Sequence, residues 1–317
     1  MRCSSLALFL LLLTACNSPD IPPPPAIHKR LATSAHAPYN RLIFAGDVMF
    51  ARAVRRAIVT AHDPAMPLRK IAPLLAGSDI TFVNLESPFS DRGPYYQGGL
   101  IFHAPPDTVA GLKLCGVSVA STANNHARDC GPHGVEYTID WLRSHGIQPV
   151  GSGDSEVATH AGVVVIRNGV RFGFLGYTYD QSNGNWRDVD SRIAITNVDT
   201  MRRDVAALRA RCDVVIVSMH NGIEYMPKPS KAQIEFAHAA IDCGSTLVIG
   251  HHPHVIQPEE RYKTGLIFYS LGNFVFDQYQ RQATQHGEVV QVSFLGKSVF
   301  ATHIMHVKIT PTGPELE

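Results

Sequence analysis

The stretch "LVIGHHPHVIQ", Leu247 to Gln257, places His251, His252 and His254 just after a short apolar run that ends in glycine. Other short apolar runs end in the same way. "RLIFAG" leads to Asp47, "DITFVN" to Asn84 and Glu86, "VSVAST" to Asn124, Asn125 and His126, and "DVVIVS" to His220. Asp, Glu, Asn and His together suit borderline divalent metals such as Zn, Mn or Fe. Two dications against Asp47 and Glu86 would leave positive charge over, and that attracts an anion: a phosphate ester or a polycarboxylate. Two ions about 3.5–4 Å apart can clamp both oxygens of an in-line displacement, and a histidine outside the metal shell can protonate the leaving group. Each residue alone has a plainer reading. Asp47 could cap a helix over "VMFARAVRRAI", Asn124 could make an Asx turn, and one histidine could be a satisfied core group. What argues for a site is that five strand ends deliver such groups to one edge, where open α/β sheets place their ligands.

Those runs are candidate strands, and helical patterns separate them near residues 67–76, 106–114, 132–144, 199–211 and 230–242. Apolar strands alternating with helices imply a sheet covered on both faces. "GVVVIRNGVRFGFLGY" reads as a hairpin turning at Asn168-Gly169. Beyond residue 254, "ERYKTGLIFYS", "HGEVVQVSFLG" and "SVFATHIMHVKI" read as further hairpin strands. An α/β fold of two sheets packed face to face between outer helices, a four-layer α-β-β-α sandwich, accommodates both halves.

Composition is that of an ordinary globular chain: 317 residues, 45% hydrophobic, 17% charged, net charge +1. The near-zero charge argues against a nucleic-acid partner held by bulk electrostatics. The first 15 residues read as a signal peptide, with Arg2 before an apolar run too short to span a bilayer. Leu13-Thr14-Ala15-Cys16 resembles a bacterial lipobox, which implies export, cleavage before Cys16 and a lipid on it. Asn17 lacks the usual inner-membrane retention signal, so in a two-membrane cell the anchor is expected in the outer membrane, facing the periplasm. Residues 16–40, with four consecutive prolines, read as a tether reaching about 70 Å at roughly 3.1 Å per residue. The domain proper is expected over 41–317. Of the remaining cysteines, Cys115–Cys130 and Cys212–Cys243 are possible disulfides in an exported protein, with buried free thiols the alternative.

The chain resembles the CapA-like poly-γ-glutamate capsule biosynthesis family (PGA_cap). The matching stretches are "FAGDVMF", "FVNLESPF", "TANNHARDCGPHG", "MHNGIEY", "GHHPHVIQ" and "FYSLGNFVFD", in the family's order from about residue 42 to 277. That family is similar to the calcineurin-like metallophosphoesterases, so the resemblance implies their four-layer fold and one or two divalent ions. Carried over, it makes Asp47, Glu86, Asn125, His220, His252 and His254 metal ligands and His126 the general acid, and leaves His251 as an extra histidine, either behind the ligands or exposed. Two departures stand out. Met49 replaces the histidine of the Asp-x-His pattern, and Glu86 stands where the bridging aspartate would be. Asn84, Glu224, Tyr225 and Asn273 are candidate substrate contacts, while Asp129, Gly131 and Gly134 read as structural. Arg52, Arg55 and Arg56 read as an exposed helix face. The resemblance further implies an anionic envelope or capsule polymer, or its precursor, as partner, and a membrane synthase or export complex nearby. A hydrolase and a non-catalytic metal-binding subunit of such a complex both remain open. A P-loop ligase is excluded by the absence of its phosphate-binding motif.

Overall fold

The computed structural model describes residues 37–95, 99–185 and 189–317. The signal segment, Cys16 and the tether as far as His36 lie outside the described residues. The strands are β1 (Tyr39–Val48), β2 (Ile80–Leu85), β3 (Val117–Ser121), β4 (Gln148–Val150), β5 (Val163–Arg167), β6 (Val170–Thr178), β7 (Val214–His220), β8 (Leu247–His251), β9 (Ile256–Tyr262), β10 (Gly265–Leu271), β11 (Asn273–Val275), β12 (His286–Leu295), β13 (Ser298–Thr310) and β14 (Gly313–Leu316). The helices are α1 (Arg52–Ala61), α2 (Met66–Arg69), α3 (Ala72–Ala76), α4 (Val109–Leu114), α5 (Gly131–Ser144), α6 (Glu156–His160), α7 (Val198–Arg209) and α8 (Lys231–Asp242).

One sheet runs β14-β13-β12-β1-β2-β3-β4, with β11 also paired to β1; the other runs β5-β6-β7-β8-β10-β9. Strands β1 to β4 are mutually parallel, as are β6, β7, β8 and β10. The sheets face each other through Leu42, Phe44, Phe82 and Val119 on one side and Phe172, Phe174, Ile216, Leu247 and Phe268 on the other. Helices α1 to α4 cover the outer face of the first sheet through Val54, Ile58, Leu68, Leu75 and Leu112. Helices α7 and α8 cover the second through Met201, Val205, Leu208, Phe236 and Ala240. The result is four layers, α-β-β-α. Successive strand residues point to opposite faces, so a strand buried on both sides needs the unbroken apolar runs seen in the sequence.

Local chemistry explains the boundaries. The helical stretch expected near 67–76 is two short helices, because Pro73 lacks the N–H that a continuous helix requires and instead stands in the first turn of α3. The 106–114 stretch opens with a 3-10 turn over Pro106–Thr108 before α4. The Asn168-Gly169 turn forms as expected, with φ of 45° and 80°. Helix α8 starts with a capping box, Ser230 and Gln233 each bonding the other's backbone. Strand β1 begins two residues ahead of the expected domain start. The four cysteines among the described residues, Cys115, Cys130, Cys212 and Cys243, are free thiols, so neither expected disulfide forms. Cys115 instead points its Sγ at the Leu68 carbonyl, 3.8 Å away. Burial pushes both Cys115 and Cys130 up to about 12, which makes them inert packing groups. No helix among the described residues is long and apolar enough to cross a membrane.

Candidate metal centre

The carboxyl ends of β1, β2, β7 and β8 and the loop after β3 meet at one edge. Register places Asp47 beside Asn84 on one side and Asn273 on the other, and His220 beside His251. Glycines permit the approach. A Cβ on Gly46 would lie 2.1 Å from the Gly272 carbonyl oxygen, and one on Gly250 would lie 1.9 Å from that of Tyr269. After β8 the chain turns sharply, with φ of 98° at His252 and 57° at His254. A side chain held in that region costs about 1–3 kcal/mol, which the surrounding structure must offset. Here the turn aims imidazoles i and i+2 into one space.

Two overlapping donor groups result: Glu86, His220 and His252, and Asp47, Glu86 and His254, each with ligand atoms within 4.8 Å of one another. Glu86 is shared between them. Asn125 adjoins the first group, its Oδ1 accepting from His220 Nε2 at 2.8 Å. Asn84 lies between the groups and donates to Asp47 Oδ1 at 2.8 Å, with its Nδ2 3.2 Å from His220 Nδ1. His254 donates from Nδ1 to Asn273 Oδ1 at 3.0 Å, which turns Nε2 toward Glu86 Oε1, 3.7 Å away.

The electrostatics are those of a buried charged cluster. Burial alone would raise the Asp47 carboxyl, but the neighbouring His251 and His254 hold it well below the usual carboxylate range. Burial, then the Asp47 charge, pushes Glu86 well above that range, against a smaller opposing effect of Arg52. Burial and the charge of His252 drive His220 far down, and burial followed by His254 takes His252 down to about 3. Neutral imidazoles are the form that binds metal.

Whether a cation fits can be judged from the polar atoms that find no partner. Both oxygens of Glu86, fully buried, lack a hydrogen bond, as do His252 Nδ1 and Asn84 Oδ1. A buried carboxylate without a donor is costly. A divalent ion between Asp47, Glu86 and the imidazoles relieves that cost, so the residues fit one or two such ions.

His126 stands beside this centre. Its Nδ1 meets Asp129 Oδ2 at 2.6 Å, and its ring stacks on Phe102 with centroids 3.7 Å apart. Asp129 is therefore the partner that orients His126, beyond the purely structural role expected of it. Asn124 takes its plainer reading, accepting from His126 N in an Asx turn. Asp47 caps no helix and lies within β1.

Several expectations change. Asn84 and Asn273 are fully buried with their amides committed to Asp47, His220 and His254, so they position those side chains instead of facing an open surface. Of the two places open to His251, behind the ligands or at the surface, the fold takes the first. His251 is fully buried, stacks toward Phe82, and holds Nδ1 3.3 Å from Asp47 Oδ1 without hydrogen-bond alignment. Met49 turns its sulfur to the Ala51 N–H, 2.9 Å away. Glu224 is exposed, and Tyr225 lies at the rim with its ring 6.3 Å from that of His254. Arg52 is not on an open helix face, although Arg55 and Arg56 are. It pairs with Asp277 and lies over Phe102 and Phe276. Sequence reading could not find Phe102 or Asp277 as its partners, because nothing local links residues so far apart.

The family described as "Bacterial capsule synthesis protein PGA_cap" matches residues 41–278. The capsule biosynthesis protein CapA of Bacillus anthracis is 35% identical over 242 residues, covering 74% of this chain and 59% of that protein. The PGA biosynthesis protein CapA of Bacillus subtilis is 32% identical over 241 residues, covering 74% and 63%. A probable polyglutamine synthesis accessory protein of Mycobacterium tuberculosis is 31% identical over 252 residues, covering 73% and 65%. The matched region thus spans about three fifths of the length of these relatives. Among solved structures, a phosphatase of Mycoplasma pneumoniae superposes with TM-score 0.56 at 14% identity, covering 88% of this chain and 95% of that one. The NAD nucleotidase of Haemophilus influenzae gives TM-score 0.53 at 9% identity, covering 89% and 54%. At such identities the likeness speaks for the fold alone, a metallophosphoesterase-like one. On the family match and these relatives together, the chain belongs to the PGA_cap family of bacterial capsule synthesis proteins.

Proposed function

We propose that the chain acts in the synthesis of a poly-γ-glutamate capsule or a related envelope polymer, as a metal-dependent hydrolase of an anionic substrate, tethered to the membrane by a lipid on Cys16. The names of its relatives support the capsule role. The observation that carries the chemistry is the partnerless Glu86 carboxylate, enclosed with Asp47 and the imidazoles of His220, His252 and His254. Asp47, Glu86, Asn125, His220, His252 and His254 would hold the metal. Bound there, a divalent cation supplies Lewis-acid polarisation of a substrate oxygen and compensates developing negative charge.

The chain's own groups do the rest. Asp129 accepts the His126 Nδ1–H, which leaves Nε2 to pass a proton to a departing oxygen or nitrogen. Phe102 fixes the ring plane from one face. Asn273 Oδ1 accepts the His254 Nδ1–H, as groups behind metal-binding imidazoles do, and Asn84 Nδ2 holds the His220 ring from 3.2 Å. Tyr225 and Glu224 stand at the mouth, where they would meet substrate.

A second reading is favoured by Met49. With its sulfur bonded to Ala51 N in place of an imidazole ligand, one metal position is weakened, and a non-catalytic metal-holding subunit of a synthesis or export complex would tolerate that. To separate the two, the full chain is purified in detergent and its metal content measured. Phosphomonoester, phosphodiester and poly-γ-glutamate substrates are then assayed for wild type, His126→Ala and His252→Ala. Loss of turnover with metal retained in His126→Ala supports the hydrolase. No turnover by wild type, together with a co-purifying membrane partner, favours the subunit.

A further inference from the structure

We propose that Arg52, held by Asp277 at the rim of the metal centre, is the anchor for a substrate oxyanion, a phosphate or a carboxylate. The proposal deepens the hydrolase reading and rests on it for the role of the adjoining centre.

Arg52 lies five residues after Asp47, where β1 gives way to α1, and its φ of 50° is in the left-handed region. A glycine would hold that backbone without strain, so an arginine there points to a task for its side chain. The guanidinium engages both oxygens of Asp277: Nη2 bonds Oδ1, and Nε bonds Oδ2 at 3.3 Å. Asp277 is itself fixed by the Ala53 N–H at 2.9 Å, and its side chain is only 6% exposed. This fork commits two of the five N–H donors of a guanidinium and leaves three for a ligand. The Arg52 side chain keeps 26% of its surface exposed.

Two buried rings complete the mount. The guanidinium carbon lies 5.0 Å from the centroid of Phe102 and 5.7 Å from that of Phe276. Phe102 also stacks on His126, and Phe276 packs 4.6 Å from the ring of His254. The same two rings therefore position a proton-transferring imidazole, a metal-side imidazole and a cation. The charge of Arg52 is felt at Glu86 and at Tyr225. A planar, forked, preorganised cation beside a metal cluster matches a second anionic group on the molecule whose reacting bond lies at the centre. A polymer with repeated carboxylates offers such a group, and so does a phosphorylated precursor.

Titration calorimetry on the full chain in detergent tests this, with inorganic phosphate in one arm and a γ-linked glutamate tetramer in the other. Each arm is run on chelated and on Mn-loaded protein. For Arg52→Gln, affinity is expected to fall about tenfold in at least one arm while bound metal stays at the wild-type level. The arm that falls tells phosphate from carboxylate. Equal affinity of Arg52→Gln and wild type in both arms overturns the proposal, as does failure of wild type to bind either anion. If Arg52→Gln does not fold, Arg52→Lys decides. It keeps the charge and loses the fork, so binding about threefold weaker supports the proposal and unchanged binding overturns it. If wild type holds no metal, the hydrolase reading fails, and the comparison in chelated protein still decides the role of Arg52.

Discussion

Replacing Glu86 with Gln probes the charge stored in the centre. The ligand atoms of Asp47, Glu86 and His254 lie within 4.8 Å of one another, and neither Glu86 oxygen has a hydrogen-bond donor. Two ionised carboxylates at that distance repel by about 3.5 kcal/mol at an effective dielectric near 20. Burial and the Asp47 charge hold the Glu86 carboxyl well above its ordinary value. The folded state therefore binds that proton more tightly than the unfolded state does. Its stabilising contribution is whole below the unfolded value and is lost as pH rises toward the folded one. Metal-free wild type should weaken as pH rises from mildly acid, above the ordinary glutamate value, to alkaline, and Glu86→Gln, uncharged and of equal size, should not carry that part of the slope. At the upper end the chelated variant is expected to be the more stable by about 2 kcal/mol, below the Coulomb ceiling of the ionised pair. Urea denaturation in chelator at both ends of that range measures this directly. Adding metal reverses the order, since wild type gains about 2.7 kcal/mol at a hundredfold excess over its Kd and the variant gains little. A chelated variant less stable than wild type at the upper pH, or equal metal stabilisation of both, refutes the assignment of Glu86 as a strained, shared cation ligand.

His126→Gln should keep its metal, by elemental analysis, and lose turnover by about 10²–10⁴, the usual span for a general acid. His251→Asn removes the imidazole 3.3 Å from Asp47 Oδ1 and should weaken metal affinity by about 10- to 100-fold, read by competition with a chromogenic chelator. His160, half-buried, is raised chiefly by its hydrogen bond to Asp204. Its contribution is present below the unfolded histidine value and fades as pH climbs through the folded one. His160→Asn should flatten that part of the stability profile by less than about 1 kcal/mol, measured by denaturation across neutral pH.

The strand ends were legible in the sequence because burial on both faces demands unbroken apolar runs, and because the acids, amides and imidazoles of the candidate centre sit just past them. The Asn168-Gly169 turn was legible because few residue pairs accept its backbone. Short edge strands such as β4, three residues long, carry too little pattern to be read. Arg52 was misread for a different reason. Locally it is one of three arginines on a helix start, and what distinguishes it is Asp277, 225 positions away. For His251 the sequence left two places open, behind the ligands or at the surface, and only the fold puts it against Asp47, fully buried. Whether Cys115–Cys130 or Cys212–Cys243 pair stayed open, because pairing depends on distances that spacing does not encode.

Elemental analysis of the full chain after dialysis, with wild type beside His252→Ala, bears most directly on the centre. One or two divalent ions per wild-type chain are expected, and at least one fewer in the variant. A wild type free of divalent metal after exposure to Zn, Mn and Fe, or a His252→Ala chain that retains the full complement, would contradict the proposed centre.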